Sequence, residues 1–508
     1  MTISKIKIRE EMPDVRFPAS VGYENVLCRF KWDYPIVNLM SGHIRNCCRV
    51  PKQVITSEQI KTYGKDAIMN LPYEKERRLE KLLGITHIDC ESCVRLEHNG
   101  ATSPRSGAYE WARDYYVKRG LGPGTAKQFD EIVQRELKDL SIDSPILHSD
   151  HPQMLEIVLG NHCNLKCTYC SVHYSTQWAQ ELIKNGELTE EQYKRDFPEA
   201  PPELEPVFWE WFYDIGRHKV ETINILGGEP TYVPKFYDLL EKLIAAYKDL
   251  GPGDRPRPEL GVLSNMNTAL PQMQKLMDFM PRLAEHFLFR LQPSIEAQGA
   301  RAEYIRFGLK WEVLERNVNM LLTHMKKQGL NQNQFSMGFQ IAINTFSLSS
   351  LPGFIRWVQA LNEKYDVELG LMKNVVSFPR HHNPLILTPD FARYVAEAIE
   401  FIKPLEEKND RIARTQKWYG SWWSYREHLL EGLHQSMSRE ERSDFDLQSR
   451  VHFYEFVKRN DARRGCNFLK TYPEYREFWR VCERAAGVPP TPDPRGALEW
   501  MRKLWART

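Results

Sequence analysis

The sequence predicts an α/β fold in which six parallel strands alternate with helices over residues 150–385 and curl into a partial (β/α)6 barrel. Short apolar runs rich in branched residues recur between segments whose apolar residues have helical spacing. Strands separated in this way pair in parallel through crossovers, and right-handed crossovers can curl the sheet into a barrel. The predicted strands are MLEIVLG (154–160), TINILGG (222–228), ELGVLSN (259–265), LFRLQPSIE (288–296), FSMGFQIAIN (335–344) and VELGLM (367–372).

Composition indicates a globular chain. With 508 residues and 42% hydrophobic side chains it can form two or three domains with ordinary cores. The 69 basic and 67 acidic residues nearly cancel, so nothing points to a nucleic-acid partner or a membrane surface, although nucleic acid is not excluded. The N-terminus has no signal-peptide pattern, and we expect a cytoplasmic protein whose clustered thiols bind metal or do redox work.

Three of the ten cysteines lie within NHCNLKCTYC, residues 161–170. A predicted strand precedes this segment and a predicted helix follows it, so Cys163, Cys167 and Cys170 lie on a strand-to-helix loop. Loops after the strands of a barrel are where a site is expected. Three thiolates do not complete a four-ligand site, and they predict an iron–sulfur cubane with one iron open to a substrate or cofactor.

A second motif, Gly227-Gly228-Glu229-Pro230, comes directly after the second predicted strand. Two glycines let the backbone approach a ligand closely, and a glutamate can accept a hydrogen bond from an ammonium group. Taken alone, the motif is also compatible with an ordinary turn.

The cysteine spacing, with Tyr169 before the last cysteine, and the glycine motif in this order resemble the radical SAM superfamily. The resemblance implies a TIM-like barrel, a [4Fe–4S] cluster on the three cysteines, and S-adenosylmethionine (SAM) as cofactor. It implies that Glu229 contacts the SAM amino group, that Ser294 and Arg306 contact its carboxylate, and that Ser264, Asn265 and Asn344 contact ribose or substrate. The full predicted cofactor-binding set is Tyr169, Gly227, Gly228, Glu229, Pro230, Ser264, Asn265, Ser294, Arg306 and Asn344.

Five further cysteines precede the barrel, within a module that we place at residues 1–115. Cys90 and Cys93 have the spacing of a metal knuckle, and Cys28 with one of the adjacent Cys47 and Cys48 can complete four ligands; we assign Cys47. The pattern resembles the twitch or SPASM-like modules of radical SAM proteins, with a small β-hairpin and a short helix, which implies an auxiliary iron–sulfur cluster. Zinc and free buried thiols are the alternatives.

The C-terminal region, residues 386–508, is predicted to be helical around the aromatic run WYGSWW (418–423), with an extended PPTPDP segment near its end. Its segment DARRGCNFLKTYPEYREFW resembles the tail of twitch-containing relatives and can cap the barrel mouth. His381 and His382 follow the sixth strand, and we interpret them as surface-loop histidines.

The resemblance implies reductive cleavage of SAM to a 5'-deoxyadenosyl radical, which abstracts a hydrogen atom from a peptide, protein or small-molecule substrate. It implies a reductase or flavodoxin-type electron donor, with the auxiliary cluster transferring electrons or binding substrate. We assign no catalytic acid, base or radical-quenching residue. Because about 27 residues precede Cys28, we expect no leader-recognition domain there, yet peptide crosslinking and dehydrogenation remain leading options. The alternatives are a non-catalytic metal-binding or iron–sulfur carrier protein and an RNA-modifying radical enzyme, for which the net charge of +2 gives no support.

Overall fold

A computed structural model of the chain describes residues 28, 30–48, 50, 52–82, 87–91, 93–94, 103, 105, 147–250, 257–403, 429–438 and 444–489. The aromatic run 418–423 and nearly all of the PPTPDP segment lie outside these residues, as does most of the predicted N-terminal module after residue 94.

The six predicted barrel strands are all present and pair in parallel, which confirms the predicted fold class. The strands are β1 Ile36–Asn38, β2 His43–Arg45, β3 Gln53–Val54, β4 Met154–Val158, β5 Lys166–Cys167, β6 Thr222–Leu226, β7 Glu259–Ser264, β8 Leu288–Pro293, β9 Arg306–Phe307, β10 Phe335–Ile343 and β11 Gly370–Val375. In the described part of the chain the barrel strands belong to a nine-stranded sheet with the order β11-β10-β8-β7-β6-β4-β1-β2-β3. β5 and β9 form a separate two-stranded sheet.

The N-terminal strands extend the barrel sheet. β1 pairs in parallel with β4, with Val37 opposite Ile157, and pairs with β2 as an antiparallel hairpin. A short helix, Phe30–Asp33, precedes the hairpin. This region thus contains a short helix and a hairpin, and the hairpin continues the sheet from β4. Its assignment to a twitch-like module stays a prediction. The module boundary at residue 115 lies outside the described residues and stays a prediction.

The two faces of the barrel sheet differ in polarity. One face is apolar and packs on the helices, as Phe339 does against Phe354 and Trp357. The strand registers place polar side chains and glycines on the opposite face, where the closed barrels of this architecture carry bulky branched residues. The polar residues and glycines of this inner face include Glu156, Asn224, Gly261, Arg290, Gln292, Gly338, Gln340 and Gly370, and the same registers also place apolar residues there, such as Leu226, Leu263 and Met372.

Helices connect the strands, and more helices follow β11. Those around the barrel strands include Thr176–Lys184, Glu190–Asp196, Leu204–Trp211, Pro234–Lys248, Leu270–His286, Gly299–Ile305, Trp311–Lys327 and Leu351–Tyr365. The N-terminal region contains Ser57–Tyr63 and Pro72–Leu82, and the C-terminal region contains 392–403, Leu429–Met437, Asp444–Arg464, Phe468–Thr471 and Arg476–Ala485. Over the described ranges, we find no helix with the length and apolar character needed to cross a bilayer.

The C-terminal helices pack on the loops at the carboxyl ends of the barrel strands. The Tyr475 hydroxyl donates to the Thr345 carbonyl, just after β10, at 2.6 Å. The Tyr304 hydroxyl donates to Asp461 at 2.9 Å, which joins the helix after β8 to the helix Asp444–Arg464. The C-terminal region therefore covers part of the barrel end at which the predicted site lies.

Candidate functional site

The three clustered cysteines lie on the loop between β4 and the helix Thr176–Lys184, at the carboxyl end of the barrel strands. Cys163 and Cys167 are buried and Cys170 is half-buried. β5 pairs antiparallel with β9, which places Cys167 opposite Arg306. This pairing fixes the cysteine loop to the segment that follows the fourth barrel strand.

Side-chain nitrogens face two of the thiols. Asn265 Nδ2 lies 3.8 Å from Cys163 Sγ, and Arg306 Nη1 lies 3.7 Å from Cys167 Sγ. Burial raises the pKa of both thiols, and the charge of Arg306 partly offsets this rise at Cys167. Metal ligation requires the thiolate forms, so loading of this loop is expected to release protons.

Two buried polar atoms on or beside the cysteine loop have no hydrogen-bond partner among the described residues. They are Thr168 Oγ1 and Glu296 Oε1. Within the described ranges, no three histidine, cysteine or carboxylate side chains are already arranged to hold a metal ion. Because buried polar atoms are almost always paired, this set next to three thiols on one loop fits a polar cofactor bound at the loop.

The glycine motif packs directly against the cysteine loop. A Cβ on Gly228 would lie 2.3 Å from the carbonyl oxygen of His162, and the Glu229 amide donates to that same carbonyl at 2.8 Å. Pro230 follows as the buried first residue of a 3₁₀ turn. Gly228 thus allows the glycine motif and the cysteine loop to pack against each other. From the sequence we expected the glycine to let the backbone approach a ligand, which is a different role.

The Glu229 carboxylate is buried and tied to its own surroundings. Its Oε1 accepts from Thr231 Oγ1 at 2.6 Å and from Ser264 Oγ at 2.8 Å, and its Oε2 accepts from the Asn265 amide. These bonds join the end of β6 to the end of β7. The contact predicted between Glu229 and the SAM amino group stays a prediction, and both carboxylate oxygens already have donors.

A buried ion pair lies beside Cys167. Glu296, fully buried just after β8, accepts from Arg306 Nη2 at 2.7 Å and Nε at 3.2 Å. The Tyr169 hydroxyl donates to the same Glu296 oxygen at 3.3 Å. The structure therefore joins three sites predicted separately, namely the cysteine loop, Tyr169 and Arg306, through a glutamate that sequence reasoning missed. The sequence feature that could have indicated Glu296 was its position two residues after Ser294, at the end of a predicted strand.

Two predicted positions make mainly local contacts. The Ser294 amide donates to the Ser264 carbonyl at 2.8 Å, which ties the ends of β7 and β8 together. The Asn344 side chain donates to the Ala342 carbonyl at 2.8 Å and accepts from the Phe346 amide at 2.8 Å. Asn344 thus organises the turn after β10, and its predicted contact with ribose or substrate stays a prediction.

His382 is buried, so its interpretation as a surface-loop residue was wrong. Its ring faces the backbone of Thr168 and packs against Phe346 and Phe456. Burial lowers the pKa of His382 well below its ordinary value, with the neighbouring His381 contributing, so the ring is neutral at pH 7. The sequence did not indicate this burial, because the helix that covers the His382 loop, Asp444–Arg464, comes some 70 residues later in the chain.

Arg464 is a second contributor that the sequence did not indicate. From the end of the helix Asp444–Arg464 it donates to the Lys166 carbonyl at 2.9 Å and pairs with Glu181 at 3.2 Å. Its guanidinium also lies 4.6 Å from the Trp178 ring centroid. The C-terminal region thereby holds the residue next to Cys167.

The N-terminal cysteines predicted as ligands share a buried environment. Cys28, Cys47, Cys90 and Cys93 are all buried, whereas Cys48 is exposed. Burial raises the pKa of Cys28, and the charges of the other three add to this rise, as expected for neighbouring thiols. The assignment of Cys47 as the fourth ligand stays a prediction, as does the choice between an iron–sulfur cluster and zinc.

One family model matches part of the barrel region. The family model for the radical SAM superfamily matches residues 157–327. No curated protein matches the chain.

The similar solved structures include "Native anSMEcpe with bound AdoMet", with 16% identity and a TM-score of 0.32, covering 50% of this chain and 61% of that chain. They also include "Crystal structure of Streptococcus suis SuiB bound to precursor peptide SuiA", with 12% identity and a TM-score of 0.26, covering 66% of this chain and 70% of that chain. The alignment thus spans less than two thirds of the anSMEcpe chain.

Proposed function

Residues 157–327 form a domain of the radical SAM superfamily, and we propose that the protein uses it to cleave SAM reductively and to abstract a hydrogen atom from a substrate. A [4Fe–4S] cluster held by Cys163, Cys167 and Cys170 would supply the electron that breaks a carbon–sulfur bond of SAM, and the resulting 5'-deoxyadenosyl radical would remove the hydrogen atom.

The juxtaposition of Cys167 and Arg306 carries this proposal. Arg306 Nη1 lies 3.7 Å from Cys167 Sγ while Nη2 and Nε hold Glu296, and a buried guanidinium beside a predicted ligand thiol would favour the carboxylate of an amino-acid cofactor there. An iron–sulfur carrier has no use for such an arginine, so the pairing supports an enzyme over the carrier alternative.

The protein's own residues would orient the reactants and exclude water. The C-terminal helices cover part of the carboxyl end of the barrel, and Tyr475 and Asp461 anchor them there. A covered site protects a radical from solvent. The electron would come from a reductase or flavodoxin-type donor.

The inner face of the sheet suits a polar substrate. Asn224 Oδ1 and Gln292 Nε2 lie 2.4 Å and 3.6 Å from where a Cβ on Gly261 would be, so two amide side chains meet over a glycine. Amides both donate and accept, which suits peptide groups and neutral small molecules alike. We therefore retain a peptide, protein or small-molecule substrate, with peptide crosslinking or dehydrogenation as leading reactions.

The test compares the wild type with the Cys163→Ala, Cys167→Ala, Cys170→Ala triple variant after anaerobic purification. Iron and sulfide content, the electron paramagnetic resonance (EPR) spectrum and 5'-deoxyadenosine formation from SAM are measured. We expect the variant to lose about four irons and all SAM cleavage. A variant that still forms 5'-deoxyadenosine would overturn the assignment of the cluster to this loop.

A separate prediction concerns the N-terminal thiols. Cys47→Ala should lower the metal content of the N-terminal site, because a buried ligand is lost, whereas Cys48→Ala, at an exposed position, should leave it unchanged. Iron, sulfide and zinc analysis of both variants distinguishes an auxiliary cluster from a zinc site. Equal metal loss in both variants, or none in either, would contradict the assignment of Cys47.

A further inference from the structure

We propose that Lys81 provides a positive charge that stabilises the metal centre predicted at the N-terminal cysteines. We call this predicted centre, formed by Cys28, Cys47, Cys90 and Cys93, the N-terminal thiol site. The inference rests on the proposed metal binding at these thiols and is independent of the chemistry proposed for the barrel. Lys81 would act through its charge and not as a ligand, because an ammonium group has no lone pair to offer a metal.

The first step concerns the burial of a charge. Lys81 lies in the last turn of the helix Pro72–Leu82, and only 2% of its surface is exposed. A lysine is almost never fully buried unless its charge is paired. Its neighbour Glu80 pairs with Arg77 at 2.9 Å, and no carboxylate of the described residues forms an ion pair with Lys81. The partner of this charge is therefore missing from the described part of the protein.

The second step concerns the balance of buried charge around this helix. Among the described residues of the range 28–105, buried cationic side chains outnumber buried carboxylates. The cations are Lys31, Arg78, Lys81 and Arg105, and the carboxylates are Asp33 and Glu74. A buried charge without compensation costs free energy. A metal centre with four thiolate ligands would offset the excess, since the thiolates outweigh the positive charge of a zinc ion or an oxidised [4Fe–4S] core.

The third step concerns the distance between Lys81 and the thiols. The Lys31 carbonyl accepts from Arg78 Nε, in the helix of Lys81, at 2.8 Å, and from Asn46 Nδ2, next to a predicted ligand, at 3.4 Å. The Lys31 amide donates to the Cys28 carbonyl at 3.1 Å. Burial and the neighbouring thiols raise the pKa of Cys28, whereas the charge of Lys81 lowers it. The helix is thus held against the thiol-bearing turns, and Lys81 lies within electrostatic reach of the site.

Lys31 offers a matched control. It is as deeply buried as Lys81, with 1% of its surface exposed. Its charge acts on a carboxylate instead, because burial raises the pKa of Glu74 and Lys31 is the cation that opposes this rise most. Neutralising Lys31 therefore removes a buried cation from the same region, but one whose main electrostatic partner is not a thiol.

The experiment uses the full chain with the Cys163→Ala, Cys167→Ala and Cys170→Ala substitutions as the parent, so that bound metal reports on the N-terminal thiol site alone. Lys81→Met, Lys81→Arg and Lys31→Met are compared in this parent. Methionine keeps a similar length and removes the charge. Metal content, metal affinity in competition with a chelator, and thermal unfolding of the loaded and metal-free forms are measured under anaerobic conditions.

Lys81→Met should lose metal affinity about tenfold to hundredfold, the range expected when a residue that supports metal ligands is lost. Its metal-free form should unfold at the same temperature as the parent or at a higher one, because an uncompensated buried charge has been removed. Lys81→Arg should bind metal like the parent, and Lys31→Met should lose much less affinity. For an iron–sulfur cluster, Lys81→Met should also lower the reduction potential, since a nearby cation favours the more negative reduced state.

Metal affinity that is unchanged in Lys81→Met, or lowered equally in Lys31→Met or Lys81→Arg, would overturn the inference. A metal-free Lys81→Met protein that unfolds well below the parent would do the same, because stabilisation of the helix C-terminus would then account for the lysine. If Lys81→Met does not fold, the uncharged Lys81→Gln takes its place.

A parent that binds no metal would overturn the N-terminal thiol site and this inference together. The function proposed for the barrel would be unaffected, because 5'-deoxyadenosine formation tests it separately in the protein that keeps Cys163, Cys167 and Cys170.

Discussion

Gly228→Ala is expected to abolish assembly of the barrel cluster. The added Cβ would lie 2.3 Å from the His162 carbonyl oxygen and 2.7 Å from the Asn161 carbonyl carbon, both backbone atoms of the cysteine loop. A side chain could rotate away from such a contact, but backbone cannot, so the loop must shift as a whole. Overpacking of this kind typically costs about 1–3 kcal/mol, and here the shift also moves Cys163, the next residue. Iron and sulfide content and 5'-deoxyadenosine formation measure the effect.

The control for this prediction is Gly432→Ala. Gly432 lies in the helix Leu429–Met437, and a Cβ there meets no atom within 4 Å. Alanine is favoured over glycine inside a helix by roughly 1 kcal/mol, so this variant should keep its cluster and its stability. Wild-type iron content in Gly228→Ala would show that the contact between the two loops is not needed for cluster binding.

The sequence was sufficient for features that depend on local pattern. Each barrel strand is a short apolar run whose branched residues face the helices, and alternation with helices permits only parallel pairing over such distances. The cysteine loop could be located because both of its flanking elements, β4 and the helix Thr176–Lys184, have clear signals. The N-terminal ligand set, Cys28, Cys47, Cys90 and Cys93, stays a prediction, although all four are buried.

The rest depends on contacts between residues far apart in the chain. Nothing local marks Ile36–Asn38 as a strand that pairs with β4. The local sequence predicts that His382 is an exposed loop residue. It is buried because the helix Asp444–Arg464 packs over it. The partners of Glu229 could not be read from the motif either, because Ser264 Oγ belongs to the next strand. Burial and hydrogen bonding of polar side chains are tertiary properties, and one-dimensional patterns report them poorly.

Arg464 gives the second large effect that we expect. Arg464→Ala should destabilise the protein by about 2–3 kcal/mol and loosen the cysteine loop, since it removes the donor to the Lys166 carbonyl and a fully buried partner of Glu181. The loss stays below the roughly 3–5 kcal/mol of a buried charge left unpaired, because Lys166 remains bonded to Glu181. Urea unfolding measures the stability change, and the rate of iron loss to a chelator measures the loosening.

The adjacent Arg463 provides the comparison. It pairs with Glu187 at the surface, where an exposed ion pair contributes at most about 1 kcal/mol, so Arg463→Ala should have little effect on either measurement. Burial raises the pKa of Glu181, but bonds from Lys166 and Arg464 bring it below its ordinary value. The contribution of Arg464 is therefore present above the unfolded-state pKa of Glu181 and is lost as pH falls through the lower folded-state value. Equal effects of the two arginine variants at neutral pH would contradict a specific role for Arg464, because only Arg464 reaches the backbone beside Cys167.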